Sequence, residues 1–290
     1  MSGYKIILAC LSDVDTVVPT LGVSFLIGCG FGAHIEALHV RADAASAVPL
    51  VGEGMSGAMV EEMLEIAERQ ATDRSERVRQ LFDRTCAEQG IVAAAKPAPG
   101  SSGPSVAWRE EVGREEDVIA YAGRLADLLV FARPFPDKDI PSIISLNAAL
   151  MESGRPLLLA PPTLPSQIGQ TIAVFWNGSA EASRAVAAAL PFLERAAKVI
   201  VLCAREEEPA AHDELANYLG WHGIVADVRT FVAGGGGGHV GQGLLLQANA
   251  VGADLIVMGA YTHSRLRQLI LGGVTRHVIH AARVPVLLSH

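Results

Sequence analysis

The 290-residue chain reads as an α/β protein, on three observations. Half of its residues are hydrophobic while only 5% are aromatic, which suits helices packed closely on a parallel sheet better than an all-β sandwich. Short apolar runs of strand length alternate with longer helix-periodic segments. The alternation also occurs twice. Ala126-Asp-Leu-Leu-Val-Phe131 reappears as Ala253-Asp-Leu-Ile-Val-Met258, and each copy is followed by a second apolar run, Pro156-Leu-Leu-Leu-Ala160 and Pro285-Val-Leu-Leu-Ser289. An internal repeat of this kind predicts a tandem of one βα series, and the length accommodates two domains, each with its own core.

In chain order, Lys5–Cys10 is the first strand, echoed by Thr171–Trp176, and Ala33–Val40 the second, echoed by 197–203. Between the first two, residues 16–33 carry no charge but are punctuated by Pro19, Gly22, Gly28, Gly30 and Gly32 and flanked by Asp13, Asp15 and Glu36. This predicts a buried helix feeding a strand, not a membrane span. Ala42–Gly57 is small and glycine-bearing and is expected to be mobile. Residues 59–88 are charged and helix-periodic (Met63, Ile66, Val78, Leu81, Phe82), predicting one long amphipathic helix or a bent pair. Pro97–Pro104 reads as a loop, and Pro161-Pro-Thr-Leu-Pro-Ser166 as the linker between domains 1–160 and 167–290. In the second half the pattern places strands near 171–176, 198–204, 224–232, 254–259 and 284–289, with helices near 180–196, 211–221, 240–251 and 273–282.

The net charge of -8 argues against nucleic acid or an anionic membrane as partner, since both need a concentrated positive field. Cys10, Cys29, Cys86 and Cys203 show no metal or redox spacing and read as small apolar residues of a reducing compartment, the cytoplasm. Lys5 precedes too short an apolar run for a signal peptide. Enzyme chemistry is sparse. His277 and His280 share a helix face, but with His290 they have no acidic or thiol ligand at metal spacing. Ser179 precedes a helical run, as an N-cap does, and lies outside any nucleophile elbow.

The most informative segment is the strand Asp254–Met258 running into Gly259-Ala-Tyr-Thr-His-Ser-Arg-Leu-Arg-Gln-Leu-Ile-Leu-Gly272-Gly-Val-Thr275. A buried strand, a basic loop and a glycine pair opening a helix present backbone N–H groups to an anion. Gly234–Gly238 follows the preceding strand and reads as a flexible connection at the rim. In the first half the equivalent strand ends in Arg133-Pro-Phe-Pro-Asp137, whose prolines lack donors. The first strand there ends in Leu11-Ser12-Asp13 with no partner loop, so this half reads as degenerate for nucleotide.

The second half resembles the universal stress protein domain. Nucleotide-binding members of that family carry a glycine, two residues, a second glycine, nine residues, then glycine and a hydroxyl residue. Gly259 matches the first glycine and Gly272 the third, while Thr262 stands at the second and Gly273 at the hydroxyl position; the family's Asp-Gly-Ser appears as Asn177-Gly178-Ser179. The first half is similar in strand pattern only. The resemblance implies two tandem domains packed as an intramolecular pseudo-dimer, each an open five-stranded parallel sheet of order 3-2-1-4-5 with helices on both faces. It implies a cytoplasmic stress-response or regulatory protein, with ATP or AMP as ligand and Mg²⁺ only alongside ATP. Asn177 would lie near base and ribose, with Gly259, Thr262, Gly272, Gly273, Val274 and Thr275 around the phosphates. Thr262 is β-branched and tolerates a left-handed backbone poorly. Gly273 removes one hydroxyl donor, about 1 kcal/mol, which His263, Arg265 and Arg267 could offset by charge-assisted contacts. With no general base or Walker-type lysine, any hydrolysis would be slow.

Two other classes stay open: an interaction module of the same fold, pairing with a protein partner or a second copy through strands 156–160 and 284–289, and an AMP-transferring enzyme.

Overall fold

Strands buried on both faces must be apolar throughout, and the apolar runs of this chain behave accordingly. The computed structural model describes residues 3–43, 56–95, 103–135, 140–204, 210–232, 237–261 and 273–290. The first half comprises β1 (Ile6–Cys10), α1 (Val14–Phe31), β2 (His34–Ala42), α2 (Gly57–Gln89), β3 (Val92–Ala93), β4 (Ser105–Gly113), α3 (Glu115–Gly123), β5 (Leu128–Ala132), α4 (Ile143–Glu152) and β6 (Leu157–Ala160). The second comprises β7 (Thr171–Phe175), α5 (Ala180–Leu193), β8 (Lys198–Ala204), α6 (Ala210–Trp221), β9 (Ala226–Phe231), α7 (Gly237–Ala250), β10 (Leu255–Gly259), α8 (Gly273–Ala281) and β11 (Val286–Ser289). The predicted mobile segment at 42–57 and the loop at 97–104 fall largely outside the described residues.

The eleven strands among the described residues form one sheet in the order β3-β4-β2-β1-β5-β6-β11-β10-β7-β8-β9. Within each half the pairing is parallel and the order is the expected 3-2-1-4-5, read through β4-β2-β1-β5-β6 and β9-β8-β7-β10-β11. Two details depart from expectation. The first half carries a sixth, two-residue strand, β3, paired to β4. The two final strands, read as edges for a partner, instead pair antiparallel with each other, Leu157 with Leu288, Leu158 with Leu287 and Leu159 with Val286. A strand with one free side spends it once, so neither is available to another chain.

Alternate strand residues feed two continuous cores, as a two-residue period requires. Ile7, Val130, Leu158, Val174 and Leu287 pack with α1, α2, α5 and α6 on one face. Leu8, Leu129, Leu159, Phe175 and Leu288 pack with α3, α4, α7 and α8 on the other. Both cores run across the β6–β11 join. Tyr4, Phe31 and Phe192 reinforce it as a ring triangle with centroids 5.2–5.3 Å apart, and the Tyr4 hydroxyl donates to the Ala188 carbonyl at 2.6 Å.

α1, whose one charged residue is Asp15 in its first turn, is long and apolar enough to cross a membrane by length and composition. Its apolarity is accounted for by burial, since eleven of its residues lie inside the fold. The charged periodic segment is one unbroken helix, α2, capped by the Ser56 side chain at its start and by left-handed Gly90 at its end.

The repeated Ala-Asp pairs have the same task in both halves. Asp127 accepts from the backbone N–H groups of Lys5 and Ile6. Asp254 accepts from those of Gly169, Gln170 and Thr171. Each carboxylate thus pins the entry of the first strand of its half beside the fourth.

Candidate functional site

In an open parallel sheet the connections leaving two adjacent strands to opposite faces open a crevice beyond their carboxyl ends. β7 and β10 are such a pair, aligned with Phe175 opposite Met258. The chain leaving β7 enters α5 on one face, and that leaving β10 leads to α8 on the other. The mouth of this crevice is where the residues expected from sequence come into question.

After β7 the chain turns through Asn177-Gly178-Ser179. Gly178 has φ 72°, a left-handed backbone that glycine adopts without strain. The Ser179 N–H donates to the Asn177 side-chain oxygen at 3.2 Å, an Asx turn. The Ser179 hydroxyl accepts from the Ala182 N–H at 3.1 Å as the N-cap of α5. Asn177 is exposed, so its oxygen shapes the turn while its NH₂ group remains a donor toward solvent.

Gly259 closes β10, and a Cβ built on it would lie 2.4 Å from the Ala182 nitrogen and 2.6 Å from the Glu181 carbonyl carbon. Its lack of a side chain therefore lets the first turn of α5 dock against the end of β10. Glu181 in that turn is held by Arg184 at 2.9 Å. Gly273 begins α8 and is exposed, Val274 is half-buried, and Thr275 is buried. Val274 packs against the apolar core of its face. What the start of α8 offers an anion is thus backbone N–H, which lacks intrahelical acceptors in a first turn. Thr262, Gly272, His263, Arg265 and Arg267 lie outside the described residues.

Sequence reasoning missed Tyr261. Its φ is 64°, an uncommon conformation for a large side chain. The phenol donates to the Asn147 side-chain oxygen of α4 in the other half, and the ring stands edge-on to His290 at 6.0 Å. Burial pushes the phenol up to about 12. Tyr261 and Asn147 also line a small apolar pocket between the halves with Leu146, Leu157, Ile279 and Leu288. No local signal marks this contact, because its two partners are 114 residues apart.

The histidines expected to be solvated differ among themselves. His277 packs beside Gly241 of α7, and His290 shares a hydrogen bond with the Ala260 carbonyl at 3.2 Å. His280 is held below the usual imidazole value by burial and by Arg276 and Arg133. Among the described residues no cluster of three or more metal-ligating side chains occurs.

In the first half α2 packs over the turn that follows β1 and over the strands beyond it. Asp13 caps α1 and accepts from the Val14 N–H, and Arg74 of α2 lies 3.7 Å from its carboxylate. Ser75 donates to Glu110 at 2.8 Å, and Phe82 packs on Trp108. α2 therefore lies across α1, β2 and β4. Arg133 takes the place of Ala260, its N–H donating to Ala160 as that of Ala260 donates to Ser289. Burial lowers its guanidinium to about 10.

Residues 170–290 match the model of the universal stress protein family. No curated protein sequence matches the chain. Among solved structures, a universal stress protein from Archaeoglobus fulgidus DSM 4304 is similar with a TM-score of 0.65 and 16% identity, over 98% of this chain and 97% of that one. A functionally unknown protein from Pseudomonas aeruginosa PAO1 is similar with a TM-score of 0.58 and 14% identity, over 99% of this chain and 92% of that one. At these identities the likeness is one of fold. Residues 170–290 thus match the universal stress protein family, and the two halves together share the fold of a universal stress protein of matching length.

Proposed function

We propose that the chain is a stress-response or regulatory protein in which residues 167–290 bind an adenine nucleotide, ATP or AMP, while residues 1–160 serve a structural role. The observation that carries this reading is the crevice between β7 and β10, flanked by an exposed amide at Asn177 and an exposed helix start at Gly273. Asn177 would meet the base and ribose through its free NH₂ group. The phosphates would lie toward the loop from Gly259 to Thr275, with Thr262 and Gly272 part of it. The backbone N–H groups of Gly273, Val274 and Thr275 favour negative charge, as the start of a helix does. Gly259 contributes by letting α5 close one wall. Mg²⁺ would enter only with ATP. The chain would act by carrying or sensing nucleotide, not by rapid turnover.

Thermal melting with and without millimolar ATP and Mg²⁺, and with AMP, tests this. A ligand at 100 times its Kd stabilises by about 2.7 kcal/mol, so melting should rise by several degrees. Gly273→Pro keeps a residue suited to a first helical position but deletes its N–H, and should reduce the shift, as should Asn177→Ala. No shift with either nucleotide would sink the reading.

A further inference from the structure

We propose that the chain forms a symmetric dimer through β9, the long free edge of its sheet, with a second copy of the same strand running antiparallel. Among the described residues the sheet ends at β3 on one side and β9 on the other. β3 has two residues, too short to template another strand, whereas β9 has six. The usual protections of a free edge are short length, proline, charged side chains, a bulge or a covering segment, and the two charges of β9, Asp227 and Arg229, are of opposite sign and pair with each other. β9 contains no proline, and its register with β8 is uninterrupted from Ala226 to Phe231.

Its side chains specify the partner. Asp227 and Arg229 project from one face of the strand, two residues apart, and already pair within the chain at 2.9 Å while both stay about half exposed. In an antiparallel pairing centred on Val228, Asp227 of one copy stands opposite Arg229 of the other, and the reverse. Opposite charges placed directly across strands are favourable. A pairing centred on Asp227 or on Arg229 would instead set like charges face to face. The same centring brings Val225, 91% exposed, opposite Phe231, and sets Val232, 70% exposed, beside Ile224. The strand is thus complementary to itself in charge and apolar content in one register. The dimer is independent of nucleotide binding and would continue the sheet from one copy into the next.

Sedimentation velocity of the full chain over a concentration series tests the proposal with three proteins. Wild type should dimerise with a Kd in the micromolar range. Asp227→Arg places arginine opposite arginine twice and should weaken association at least tenfold, with melting temperature and circular dichroism unchanged. The double variant Asp227→Arg/Arg229→Asp restores opposite charges in the same register and should recover the dimer. A wild type monomeric at several hundred micromolar would overturn the proposal. So would a dimer indifferent to Asp227→Arg, or a double variant no better than the single one.

Discussion

At Gly259 the sequence marks a position that requires glycine and leaves the reason open. Gly259 stands where a phosphate-cradling glycine is expected, yet the space its Cβ would take is filled by the backbone of Glu181 and Ala182. Backbone cannot rotate away as a side-chain tip can, so Gly259→Ala must displace the start of α5. Overpacking of this kind costs about 1–3 kcal/mol, and urea denaturation should report a loss in the upper part of that range. A loss below a few tenths would mean that α5 yields freely. Gly178 was legible for a different reason, because an Asn-Gly-Ser sequence after a strand encodes its own turn. Gly259 was not, because what it touches comes from residues almost eighty positions earlier.

Among the elements, α2 separates what periodicity can and cannot fix. Met63, Ile66, Val78 and Phe82 form one apolar stripe in sequence, but only the second half is buried. Val78 and Phe82 reach the core, whereas Met59, Met63 and Ile66 remain exposed. Periodicity predicts that a face is apolar, and the length of the surface beneath decides how much of it is covered. Phe82 also packs at 5.2 Å on Trp108 and lies under the Arg79 guanidinium. Phe82→Ala should therefore cost about 3–5 kcal/mol, the range for large core truncations, and lower the melting temperature markedly, while Met63→Ala should leave it nearly unchanged. Equal effects from the two would show that the exposed half is also structural. The same limit applied to β6 and β11, whose apolar character was read correctly and whose partner was not.

For the whole molecule, the question is what makes two halves one structure. The β6–β11 ladder, the Tyr4–Phe31–Phe192 triangle and the Tyr261–Asn147 hydrogen bond all cross the join. Tyr261 gives this a pH signature. Its phenol, ordinarily near 10.0, is pushed up to about 12 by burial. A raised value in the folded state means stabilisation that is full below about pH 10 and lost as pH rises toward 12. Between pH 9 and pH 11.5 the wild type should lose more stability than Tyr261→Phe, which cannot ionise; equal losses in denaturant titrations would remove Tyr261 from the account. The sequence by itself determined the α/β class, the duplication and the segment on which a nucleotide site would be built, while the strand order within each half came from the family resemblance. The first three follow from apolar period, turn residues and repeated motifs, all of which act over a few neighbouring positions. Only the tertiary structure decided that the final strands consume each other's edges, that α2 packs across α1, β2 and β4, that Gly259 serves helix docking and that β9 ends the sheet among the described residues. Those outcomes depend on which surfaces meet after the chain has folded back over more than a hundred residues, and local pattern carries no information about that meeting.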